Sequence, residues 1–190
     1  MKPFKFLLTA LLPLLATAQT EVPRTALDEA RQATSELQAG MRGELVKALE
    51  ASGPLRAIVV CKYATPEIAS AVSRKFGARV TRVSLKPRNP ALGWGDPWEQ
   101  KVLMDFDARV ARGEKADGLE HAEVVQEPSG RYMRYMRALP MQPACMHCHG
   151  TSDQLSEAVR QQLAHDYPHD QATGLKLGQV RGAISYKKPL

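Results

Sequence analysis

Two cysteines three positions apart, with a histidine directly after the second, constrain this chain more than any other feature: Cys145-Met146-His147-Cys148-His149. In one helical turn residues i, i+3 and i+4 share a face, so both thiols and the last imidazole point the same way. Cys-x-x-Cys-His at this spacing is the attachment signature of a c-type haem. The two thiols add to the vinyl groups, and His149 then ligates iron through its neutral imidazole. A fold that carries this turn must leave room beside it for a large planar group. Composition agrees, because only 6% of residues are aromatic and two of the four phenylalanines, Phe4 and Phe6, stand at the extreme N-terminus. Pro143 and Gly150 let the chain bend into and out of the turn.

The N-terminus argues for export. Lys2 and Lys5 precede an apolar run from Phe6 to Leu15, and Ala16-Thr17-Ala18 supplies the small residues a signal peptidase needs. Residues 1–18 therefore read as a signal peptide, with 19–190 as one haem-binding domain located in the periplasm or secreted. The run is too short for a permanent bilayer span, and it holds no cysteine for lipid attachment. The net charge of +6 loses two lysines with the leader and reflects a solvated face or an acidic partner, not nucleic acid. A chain of this length buries roughly 70% of its unfolded surface and needs no disulfide framework, so its three cysteines require another explanation.

Two plainer chemistries compete for those cysteines. Zinc bound by Cys145, Cys148, a histidine and Cys61 is one, and a redox dithiol of Cys145 and Cys148 is the other. Export, the paired thiols and the adjacent histidine favour haem c. Its second axial position then falls to Cys61, Met133, Met136, Met141, His121, His165 or His169. Met133 and Met136 fit core-facing strand positions, and the two late histidines lie in a polar loop. Cys61 ends an apolar run and is the odd cysteine of an exported chain, which suits either iron ligation or a buried structural thiol.

Periodicity predicts a helix from about Thr25 to Ala51, opened by a Thr25/Asp28 capping box and broken at Ser52-Gly53-Pro54. The run Leu55 to Cys61 fits strand or helix. Thr65 and Pro66 can open a further helix that Gly77 closes. Ala78 to Leu85 reads as a strand, Lys86 to Gly95 as a loop, and Asp96-Pro97-Trp98-Glu99 as a helix start. Leu119 to Glu127 and Arg131 to Leu139 form a hairpin around Pro128-Ser129-Gly130. A helix over Ser152 to Ala164 and a strand over Gly178 to Lys187 follow. The expectation is α+β, with helices around one antiparallel sheet of about four strands.

These stretches together resemble a known family. The residues that carry it are Ala57-Ile58-Val59-Val60-Cys61, Arg82 to Pro90, Pro97-Trp98-Glu99, the haem motif, Tyr167 to Gly174 and Arg181-Gly182-Ala183-Ile184-Ser185. In that order they are similar to the Tll-type c-haem domains, departing at Gly93-Trp94-Gly95. The resemblance implies a PAS-like fold, with His149 as proximal ligand and Cys61 as distal ligand of the iron. Arg82 and Arg88 flank its polar loop and are candidates for binding the haem propionates. The function expected is redox or small-ligand sensing, with a soluble electron-transfer cytochrome or a zinc-binding structural module as alternatives. Six-coordinate iron argues against an enzyme, and the redox or signalling partner is not legible.

Overall fold

The computed structural model describes residues 21–190, so the signal peptide expected over 1–18 lies outside the described residues. The elements run α1 (Arg24–Phe76), β1 (Arg79–Val83), α2 (Pro90–Gly93), α3 (Pro97–Ala111), β2 (Glu120–Glu127), β3 (Gly130–Pro140), a 3-10 turn (Pro143–Cys145), α4 (Met146–His149), α5 (Glu157–Asp166) and β4 (Val180–Pro189). The strands form one antiparallel sheet in the order β1-β4-β3-β2. The α+β expectation holds.

Gly53, at φ 73°, ψ −172°, is the one non-helical residue inside α1. A side chain rarely tolerates that conformation, and here it folds the helix into a hairpin. The arms 24–52 and 54–76 then lie side by side: Lys75 pairs with Glu36 at 2.7 Å, and a Cβ added at Gly40 would sit 2.9 Å from Ile68. The hairpin covers one face of the sheet, where Ala30, Ala33, Leu37 and Val72 meet Val80, Met133, Tyr135, Ile184 and Tyr186. On the other face Val102, Leu103 and Phe106 of α3 meet Val83, Met136, Ala138 and Ala183. Met133 and Met136 are therefore core residues, as their strand positions predict, but on opposite faces.

Local signals succeeded where the partner groups are close in sequence. Asp96 accepts from the Glu99 N–H at 2.9 Å while Glu99 accepts from the Asp96 N–H at 2.8 Å, a complete capping box. Gly77 closes α1 in the left-handed conformation. Glu99 is fully buried, and Ser185 at 2.6 Å and Arg79 at 2.9 Å satisfy it. A buried carboxylate needs such partners to be tolerated.

Four expectations need correction, and the first is the loop Lys86 to Gly95, inside which α2 spans Pro90–Gly93 with Asn89 as its cap. The residue before α1 is Pro23, and no side chain caps it, so Thr25 is already helical. Leu55 to Cys61 is helix, and no new helix starts at Thr65, because the 54–76 arm runs through it with Pro66 inside. Proline there removes one N–H from the helix ladder and leaves the Lys62 carbonyl without its usual donor. Finally, α5 starts at Glu157, not at Ser152, and Ser156 caps it by accepting from the Val159 N–H at 3.3 Å.

Candidate functional site

Between the helical hairpin and the β1/β4 end of the sheet lies a cavity of about 380 Å³. That is within the range of small-molecule and cofactor sites. Leu37, Met41 and Leu45 from one arm, and Ala57, Ile58 and Cys61 from the other, give it apolar walls. Cys145, Cys148 and His149 open into the same space. Cys145 is still in helical conformation (φ −74°, ψ −25°) ahead of α4, so the motif is the single helical turn its spacing predicts. All three cysteines are free thiols.

His149 is buried, and its Nδ1 lies 2.6 Å from the Ala172 carbonyl. A carbonyl only accepts, so Nδ1 carries the proton and Nε2 keeps its lone pair. That nitrogen faces Arg181, whose Nη1 is 3.3 Å away. Burial holds the imidazole well below its ordinary pKa, and Arg88, Arg181 and Arg82 add to the effect, so the ring stays neutral, the form that binds metals. Burial pushes the Cys61 thiol up, while Arg82, then Arg181 and Arg88, pull it back. The Cys148 thiol is likewise raised by burial.

The three arginines differ. Arg88 is engaged: its Nε donates to Asp170 at 3.1 Å, and its Nη2 reaches the Cys148 carbonyl. Arg82 and Arg181 are half-buried and line the cavity. Among the described residues no carboxylate pairs with either, and the Arg181 Nε is buried with no partner at all. Burial and the neighbouring guanidiniums bring the Arg82 pKa down to about 9. Two cations without a carboxylate partner at the wall of a pocket are costly unless an anionic group joins them.

Of the seven candidates for a second axial ligand, Cys61 lines the cavity, whereas the three methionines and three histidines do not. Met141 is buried away from it, His165 and His169 are exposed, and His121 packs beside Trp98 with ring centroids 5.6 Å apart. Among the described residues no three His, Cys, Asp or Glu side chains gather closely enough to hold a bare metal ion. Arg181 is one of two site residues, with Asp170, that sequence reasoning did not single out. Its signal was weak, because only the pairing of β4 with β1, Ala183 opposite Val83, brings it beside Arg82.

Comparison with the curated proteins finds no match. Among solved structures, the crystal structure of the cyanobacterial heme-protein Tll0287 superposes with a TM-score of 0.66 at 20% identity, covering 88% of this chain and 97% of that one. The two therefore share a fold. The Tll0287-like family model matches residues 16–189, nearly the whole sequence, and this chain belongs to that family.

Proposed function

We propose that the chain is an exported c-type haem protein that senses redox state or a small ligand and is not an enzyme. In this reading Cys145 and Cys148 carry the haem, and His149 and Cys61 hold its iron. The observation that supports it most is that the Cys145–His149 motif and Cys61 open into one cavity that none of the other six residues weighed as second ligand lines.

The donor set fits the group. Haem brings a wide apolar disc and two carboxylates, and the cavity offers apolar walls with two guanidiniums that lack anionic partners, Arg82 and Arg181. Arg82 keeps its proposed role at a propionate, with Arg181 beside it. Arg88, already committed to Asp170, supports the proximal side instead. Haem supplies reversible one-electron chemistry at its iron. The protein supplies a fixed histidine tautomer, through the Ala172 carbonyl, and at Cys61 a thiol that burial pushes up and the nearby arginines partly pull back. That a family relative is a heme-protein by its title supports the same assignment.

Sensing is favoured over simple electron carriage by where Cys61 stands. It lies on the helical arm between Gly53 and Pro66, both breaks in the helix ladder, and its neighbour Lys62 pairs with Asp166 of α5 at 3.0 Å. A change at Cys61 is thus coupled through Lys62 to α5. The test is mass spectrometry of mature protein made with the cytochrome c maturation machinery. One haem bound covalently is expected, and bare polypeptide with stoichiometric zinc would end the reading.

A further inference from the structure

The most densely partnered polar group at the site is the Arg88 guanidinium. Arg88 lies in the loop after β1 and is nearly enclosed, with 13% of its side chain exposed, as is Asp170 at 10%. Its Nη2 stands 3.4 Å from His149 Nδ1 and 3.5 Å from the Ala172 carbonyl oxygen. That is the same carbonyl that accepts the His149 proton at 2.6 Å. Asp170 closes the circuit from the other side. It accepts from Arg88 Nε at 3.1 Å with one oxygen and from the Ala172 N–H at 2.7 Å with the other.

These contacts act on His149 in one direction each. A hydrogen bond from Nδ1 to a carbonyl makes the imidazole more electron-rich and a better donor through Nε2. The Arg88 cation draws on the same carbonyl oxygen and lies beside the ring, and both effects weaken that donation. Asp170 offsets the cation and anchors the residue whose carbonyl does the accepting.

We propose that Arg88 and Asp170 are a pair of positioning residues that set, with opposite signs, the electron donation of His149 to whatever metal its Nε2 binds. The inference rests on the haem reading above. Neutralising Arg88 strengthens His149 as a donor and favours the oxidised metal. Neutralising Asp170 leaves the cation unopposed and favours the reduced one. A mere loosening of the loop would move both variants the same way, which separates the two accounts. A charge within about 4–6 Å shifts a neighbouring equilibrium by a decade or more, which sets the size to look for.

The experiment is a spectroelectrochemical titration of the mature holoprotein with Arg88→Gln, Asp170→Asn, the double variant and Arg88→Lys. At the poise where the parent is half reduced, Arg88→Gln should raise the ferric to ferrous ratio about tenfold, equivalent to a potential about 59 mV lower for a one-electron couple. Asp170→Asn should move the ratio the other way, the double variant should return toward the parent, and Arg88→Lys should recover part of the loss. Ferric absorption bands should stay those of the parent, since neither residue is a ligand. Shifts of the same sign in both single variants, or none in either, overturn the inference while the haem reading stands. Should Arg88→Gln fail to mature, Asp170→Asn and Arg88→Lys still carry opposite and near-parental expectations. A parent protein without haem overturns both.

Discussion

Replacing Gly182 by alanine should disrupt the site from a position that does not line the cavity. Gly182 lies in β4 between Arg181 and Ala183, at φ +148°, which side chains rarely adopt. A Cβ there would sit 2.4 Å from the Val83 carbonyl oxygen and 3.1 Å from Ser84 Cβ. The first neighbour is backbone, so no rotamer change relieves the clash, and β4 must move off β1. Strained backbone costs about 1–3 kcal/mol and an overfilled contact about 1–3 kcal/mol, so about 2–6 kcal/mol is at stake. Against a typical stability of about 5–15 kcal/mol that is a large share. Denaturant unfolding of the mature protein, followed by far-ultraviolet circular dichroism, measures it directly. Because the Arg181 carbonyl accepts from the Ser84 hydroxyl at 2.9 Å, the same displacement carries Arg181 away from His149. A loss under about 1 kcal/mol would mean that β4 yields easily, and the close β1–β4 approach would no longer explain the glycine.

Gly43 offers the contrasting case: it lies on an exposed stretch of α1 where an added Cβ meets nothing within 4 Å, so Gly43→Ala should raise stability by about 0.5–1 kcal/mol in the same unfolding assay. Cys61→Ala should keep covalently attached haem, lose thiolate-type charge-transfer absorption and raise the midpoint potential; an unchanged ferric spectrum would reduce Cys61 to a core thiol. Hydrogen bonds from Lys188 and Tyr186 hold the Glu29 carboxyl below its ordinary range, and Arg31 with Tyr135 does so for Glu120. Their contribution is complete above the unfolded glutamate pKa of about 4.3 and is lost as pH falls through the lower folded values, so the Glu29→Gln, Glu120→Gln double variant should show a flatter acid limb of stability against pH.

What the sequence made legible was chemistry carried by neighbours along the chain. The Asp96/Glu99 capping box, the left-handed Gly77, the β2–β3 hairpin and the attachment turn each depend on residues a few positions apart. The 54–76 arm was harder, because Ile58-Val59-Val60 has the composition of a strand. Only tertiary packing settles it: Ile58 is buried against Leu155, Val159 and Leu163. Thr65 and Pro66 misled for a related reason, since a helix already held by packing on both sides runs past a capping signal and absorbs the missing N–H. Arg181 and Asp170 were invisible as functional residues because each gains its role from a partner far away in sequence, Arg82 across the β1–β4 pairing and Arg88 across the loop.

The order of strands in the sheet sets a timetable. β4 stands between β1 and β3 and is hydrogen-bonded to both, yet it follows them and every other element in the chain. A chain emerging from its N-terminus therefore presents β1 with no strand beside it until β4 arrives, and pairings over such separations form slowly. Throughout that interval Cys145 and Cys148 have already been made while the wall that carries Arg181 is still missing. β4 then fills the gap between β1 and β3, and with it Arg181 completes the wall of the cavity onto which the two thiols open.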